Sequence, residues 1–267
     1  MNEKSCYLDY LESLSWIKKG DFLYVVSDML ELAKVCREEG SKFGADELID
    51  KLQELVGSEG TIVFPTFNWD YCKGIPFDYY KTPSRTGSLT KAALKRSDFK
   101  RTSHPIYSFA VWGKDSDKLL DNASVDSFGP GTIFEYMYEV DAKGISIGIP
   151  ILEGLTYVHH VEQMVGVPYR YHKEFTADYI DANGECTRRT YRMYVRDLVK
   201  DPQYRDFFWP LEKKMMEKGT IIRKDYKNVP FVYCQIRDVH EAAREDILLN
   251  DSRCLYYYHG QLEDEQL

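Results

Sequence analysis

The run Thr156-Tyr157-Val158-His159-His160-Val161-Glu162-Gln163 is the densest collection of side chains able to do chemistry. On a helix, Val158, Val161 and Val165 form one buried stripe, and His159 and Glu162 share the adjacent face at i,i+3. A carboxylate there can hold one ring nitrogen and leave the other to take a proton from a substrate, which is general-base chemistry. The spacing equally suits a histidine satisfied within its helix beside a solvated glutamate, and residue types alone do not choose. Thr156, just before the helix, is expected to be its N-cap. A metal is not expected: H-x-x-E-H needs a histidine where Gln163 stands, and His160 points about 100° away from His159.

Gly144-Ile145-Ser146-Ile147-Gly148 matches the G-x-S-x-G nucleophile elbow, whose serine sits on a sharp turn running straight into a helix. Here Ser146 lies inside an alternating isoleucine run, Pro150 follows, and the helical pattern waits until Thr156, so a small residue within a strand is expected. Arg101-Thr102-Ser103-His104-Pro105-Ile106-Tyr107-Ser108 brings an arginine and hydroxyls to the start of a strand. That suits a phosphate or carbonyl group, or else a proline-fixed turn whose histidine caps backbone. The turn at Ser27 offers backbone N–H groups to an anion.

The elements around these residues alternate in type. A strand over 22–26 leads into a helical pattern capped by Ser27 or Asp28; a helix over 46–56 is stopped by Gly57-Ser58-Glu59-Gly60 before a strand over 61–64. Residues 68–88 form a long aromatic and polar loop of the kind that carries function. Helices are expected over 89–95, 114–122, 133–138, 156–165, 204–218 and 239–250, and strands over 107–112, 144–149, 220–223 and 232–235. A hairpin is expected over 175–194, turning at Asn183-Gly184. The order predicts an α/β sandwich with partly parallel strands, in one domain over 1–267.

The 267 residues are 43% hydrophobic and 29% charged, which excludes disorder, and Lys plus Arg number 35 against 43 for Asp plus Glu. A net charge of −8 with no basic block offers no footprint for duplex nucleic acid or an anionic membrane. Cysteines 6, 36, 72, 186, 234 and 254 contain no C-x-x-C and read as reduced thiols. Glu3, Lys4 and Asp9 interrupt the place of a signal peptide, and no apolar run approaches a membrane span, so a cytoplasmic protein is expected.

Taken in order, several short segments resemble the aminoglycoside N3-acetyltransferase family over roughly residues 19–172. They are Lys19-Gly20-Asp21, Ser27, Gly60 through Phe67, Pro83-Ser84 with Gly87, Arg101 with His104-Pro105 and Ser108, Gly129-Pro130, and Thr156 with His159 and Glu162. The resemblance implies an α/β/α sandwich with a mixed central sheet, distinct from the GNAT fold, and a coenzyme A-dependent N-acyltransferase that needs no metal. Consistently, no GNAT phosphate loop is present: Gln163-x-x-Gly166 ends in Pro168, and Arg37-x-x-Gly40 ends in Lys42. His159 and Glu162 match the family's catalytic pair, and Thr156 the threonine that opens the same helix. Ser27, Thr66, Arg101, Ser103 and Ser108 fall in the segments lining the coenzyme A side. Where the family usually has His-Ser-Ser-Leu, this chain reads Val26-Ser27-Asp28-Met29.

The expected reaction is transfer of an acyl group from acyl-CoA to the amine of an amino sugar, with His159 as base and Glu162 as its orienter. Asp70, Tyr71, Lys73 and Arg85 of the aromatic loop, with His104, are the acceptor-side candidates. Asn68–Gly74 looks like a branch of the family associated with surface-polysaccharide synthesis. Residues 68–85 hold Lys73, Lys81 and Arg85 against Asp70 and Asp78, which tips the expectation to a nucleotide-linked amino sugar over an aminoglycoside antibiotic. More distant alternatives are a serine hydrolase using Ser146 and a non-catalytic sugar-binding domain. Assembly stays open, with a homodimer among the options.

Overall fold

The computed structural model describes residues 6–200, 202 and 205–257. Strand β1 (Phe22–Ser27) sends Phe22, Tyr24 and Val26 into one core and Leu23 and Val25 into another. A strand buried on both faces belongs at the centre of a sheet covered by helices on both sides. It pairs in parallel with β2 (Thr61–Pro65) on one side and β6 (Lys143–Ile147) on the other. Antiparallel β5 (Phe109–Gly113) and β4 (Lys100–Arg101) extend the β2 side; antiparallel β10 (Val229–Gln235) and β9 (Ile221–Tyr226) extend the β6 side.

Helices α1 (Cys6–Ser13), α2 (Leu30–Glu38), α3 (Ala45–Val56) and α4 (Ser88–Ala93) close the core around Leu23. On α3, Leu48, Ile49, Leu52 and Val56 fall on one fully buried stripe. The Tyr24 side is closed by α5 (Ser116–Leu120), α6 (Ile133–Glu139), α7 (Ile151–Gly154), α8 (Val158–Val165), α9 (Trp209–Glu217) and α10 (Ile236–Leu249). The architecture is therefore the α/β/α sandwich with a mixed sheet. No helix among the described residues is long and apolar enough to cross a membrane.

A second sheet stands beside the first. Its hairpin, β7 (Arg170–Ile180) and β8 (Cys186–Arg196), is longer than the alternating pattern suggested, and β3 (Phe77–Asp78) pairs with β7. The turn at Asn183-Gly184 holds because Asp181 Oδ1 accepts from the N–H of Asn183 and Glu185, while Gly184 takes φ 82°. The expected loop over 68–88 contains β3 and a 3₁₀ turn at Asp70–Lys73. Of the helix expected over 204–218, residue 204 lies outside the described residues; the helix itself begins at Trp209, with Pro210 in its first turn.

The glycines of the elbow-like pentapeptide serve packing. A Cβ on Gly144 would lie 2.8 Å from Cys234 Sγ, and one on Gly148, at φ 83°, would lie 2.0 Å from the Asp28 carbonyl oxygen. Ser146 is fully buried and donates to the Ile149 carbonyl at 2.6 Å, so it is no nucleophile and the hydrolase alternative is overturned.

Arg101 also departs from expectation. Its guanidinium is buried and donates to Ser108 Oγ at 3.0 Å, to the Thr66 carbonyl at 3.2 Å, to the Tyr79 carbonyl at 3.3 Å and to the Thr82 carbonyl. Thr66 Oγ1 and Ser108 Oγ are 2.9 Å apart beneath it, and the Phe77 ring centroid is 5.0 Å away. Burial lowers its pKa to about 10. The cation thus ties the loop at 79–82 to the ends of β2 and β5, and it is spent on that task. Arg101→Ala should cost about 3 kcal/mol or more in urea unfolding, since several buried acceptors lose their donor together. A loss under about 0.5 kcal/mol would contradict this structural role.

Candidate functional site

Helix α8 is short, and its ends fix what its faces present. It buries Val158 and Val161 in the core and stops at Gly166, whose left-handed φ of 79° lets the N–H groups of Gly166 and Val167 both bond the Glu162 carbonyl. The chain then reverses through Pro168, and Tyr169 and Arg170 return to the face that carries His159 and Glu162. Thr156 does not cap this helix by its side chain; its carbonyl accepts from His159 N–H at 3.1 Å, in a turn just before the helix. The N-cap expectation fails because the chain is already turning before Val158.

Glu162 has a fully buried side chain with three partners. His159 Nδ1 lies 2.6 Å from its Oε2, Arg170 Nε 2.8 Å from the same oxygen, and the Tyr169 hydroxyl donates to Oε1 at 3.1 Å. Burial and then the Glu162 charge push the Tyr169 phenol pKa up, which keeps it a donor. A carboxylate held this way accepts from Nδ1–H and fixes the neutral tautomer whose lone pair is on Nε2. The imidazole sits between the rings of Phe128 and Phe208, with centroids 5.4 and 5.9 Å away.

Nε2 faces a cleft of about 520 Å³, within the usual range for a small-molecule site. Its walls include Trp69, Tyr107, Phe128, Arg170, Lys173, Met193, Arg196 and Asp206. Trp69 Nε1 donates to the Tyr107 hydroxyl at 3.2 Å, and burial pushes that phenol up to about 12. Asp206 Oδ2 is 4.0 Å from His159 Nε2, and its Oδ1 is 2.6 Å from Arg170 Nη2. Among the described residues, His159, Glu162 and Asp206 are the group close enough to share a metal ion. The Arg170 guanidinium bridges the two carboxylates of that group.

The other expected site residues are scattered. Thr66, Arg101 and Ser108 are buried in the tie described above and do not line the cleft. Ser27 stands half-buried at the end of β1, and Ser103 Oγ donates to the Asn122 carbonyl at 3.2 Å. His104 Nδ1 accepts from Ile106 and Tyr107 N–H at 3.3 and 3.0 Å, and burial lowers its pKa to about 3. It is the turn-holding histidine, not an acceptor contact. Tyr71 is buried, with its hydroxyl 3.0 and 2.6 Å from the Ala177 and Arg189 carbonyls of the hairpin. Asp70 pairs with Arg85 at 2.7 Å and Lys73 at 3.5 Å, and none of the three lines the cleft. Arg170, Tyr169 and Asp206 were not singled out from the sequence. Tyr169-Arg170 directly after the Gly166 and Pro168 stop was a usable signal; Asp206, 44 positions beyond Glu162, carried none.

Residues 25–247 match the family model described as aminoglycoside 3-N-acetyltransferase. The SPbeta prophage-derived aminoglycoside N(3')-acetyltransferase-like protein YokD of Bacillus subtilis (strain 168) is 30% identical over 137 residues, which is 43% of this chain and 48% of that protein. The match thus spans about half the length of that curated relative. Two solved structures share the fold: AAC-IIIb with CoASH, at TM-score 0.72 and 16% identity over 91% of this chain and 95% of that one, and sisomicin-bound AAC-VIa, at TM-score 0.73 and 18% identity over 91% and 97%. Since the family model takes in most of the chain, from the middle of β1 to the last turn of α10, this protein belongs to the aminoglycoside 3-N-acetyltransferase family.

Proposed function

We propose that the protein is a coenzyme A-dependent N-acyltransferase acting on an amine of an aminoglycoside-type amino sugar. The observation that carries the reading is the His159–Glu162 pair, with Nδ1 held at 2.6 Å and Nε2 turned to the cleft. The acceptor amine attacks the thioester carbonyl, a C–N bond forms and the C–S bond breaks. His159 Nε2 takes the proton that nitrogen sheds and can return it to the departing sulfur. Glu162 orients the ring and stabilises the imidazolium formed in transit. Family membership, the CoASH-bound relative and the sisomicin-bound relative support this choice of donor and acceptor.

The nucleotide-linked acceptor loses the support first given to it, because Lys73 and Arg85 are paired with Asp70 outside the cleft. One observation keeps it as a second reading: besides Arg170, which pairs with Glu162 and Asp206, the cleft lining carries Lys173 and Arg196, cations that suit an anionic group on the acceptor.

His159→Asn should lower turnover by about 10²–10⁴-fold with the fold kept, and Glu162→Gln should lower it less; wild-type turnover in His159→Asn would remove the base. Thiol release from acetyl-CoA should be more efficient with sisomicin than with a nucleotide-linked amino sugar. The reverse order would select the second reading and leave the acyl transfer intact.

A further inference from the structure

Resting on the acyl-transfer reading of the cleft, we infer that Asp206 is the carboxylate that receives the reacting amine and aims it between His159 and the thioester. It is the one carboxylate among the described residues that line the cleft. The 4.0 Å from its Oδ2 to His159 Nε2 is too long for a direct hydrogen bond, and it is a gap one nitrogen can bridge. A nitrogen about 2.8 Å from each atom subtends roughly 90° between them, which an amine's two N–H bonds can nearly span. One N–H then points to Asp206, the other to Nε2, and the lone pair faces away from both, toward the acyl carbon. An acceptor arriving as an ammonium loses one proton to water and keeps this seat as the free amine. On attack, the N–H facing Nε2 passes its proton to His159, and the N–H facing Asp206 remains as the amide hydrogen.

Asp206 is built to hold this position. Arg170 holds Oδ1 at 2.6 Å, and Arg196 lies 3.7 Å from Oδ2. Its backbone bridges to Tyr256, and the flanking residues bond the same segment, Phe207 N–H to the Leu255 carbonyl and Tyr257 N–H to the Arg205 carbonyl. Arg170 links Asp206 to Glu162, so the two carboxylates that address the base and the amine share one guanidinium.

The test compares binding of sisomicin with binding of its analogue carrying hydrogen in place of the 3-amino group. Wild type should prefer the amine by about tenfold or more, the worth of one charge-assisted hydrogen bond. Asp206→Asn should erase that preference, and Asp206→Glu should retain part of it. A merely structural role would weaken both ligands alike and leave their ratio unchanged, so an unchanged ratio in Asp206→Asn overturns the assignment. Equal loss of preference in the Asn and Glu variants would overturn it too. If wild type fails to acetylate sisomicin from acetyl-CoA, the acceptor reading falls and this inference with it; if it does so and the Asn variant keeps its preference, only the role of Asp206 falls.

Discussion

A buried carboxylate must be satisfied, and the cleft is organised around satisfying Glu162. Left unpaired in the core, its charge would cost several kcal/mol. Three groups converge on it: His159 from its own helix, the Tyr169 hydroxyl from just before β7, and the Arg170 guanidinium, which pairs with it as an ion, from the start of β7. The same pairing that makes the burial tolerable also sets the imidazole's tautomer, anchors the hairpin to the helix and, through Arg170, fixes Asp206. Stability and chemistry are coupled here at one side chain.

A comparable economy holds at Asp126, which does not line the cleft. Arg192 bonds Asp126 Oδ2 at 3.1 and 2.7 Å, and Gln163 donates to the same oxygen at 3.0 Å, so the hairpin, the segment before α6 and helix α8 meet on a second carboxylate. Hydrogen bonds from Arg192 and Gln163 hold the Asp126 carboxyl below its ordinary pKa against the cost of burial. His160, next to the base in sequence, is buried with Nδ1 2.6 Å from the Phe128 carbonyl. Its neighbour Phe128 is one wall of the His159 ring, so the two adjacent histidines have separate tasks, one inward and one toward the cleft.

Local patterns in the sequence carried much of this. The apolar run of β1, the alternation in β6, the stripe on α3, the Gly166 stop and the i,i+3 pairing of His159 with Glu162 are all near-neighbour relations, fixed by helix and strand periods. What stayed hidden are relations across distance. Arg101 sits in a segment whose composition suits phosphate, yet its buried position commits it to backbone carbonyls of two other segments. Lys73 and Arg85 count as positive in a tally of the loop, but both are turned to Asp70 outside the cleft. Asp206 is held at the cleft by backbone pairing of 205–207 with the segment at 255–257, a contact no short motif encodes.

The chemistry rests on Glu162 holding Nδ1 of His159 and leaving Nε2 toward the cleft. Nitrogen-15 NMR of the histidine side chains, assigned by loss of one set of signals in His159→Asn, reads the tautomer directly. At a pH where the ring is neutral, the expected result is a His159 that carries its proton on Nδ1, with an unprotonated Nε2. A neutral ring protonated on Nε2 would contradict it, because that nitrogen could then accept no proton from the attacking amine.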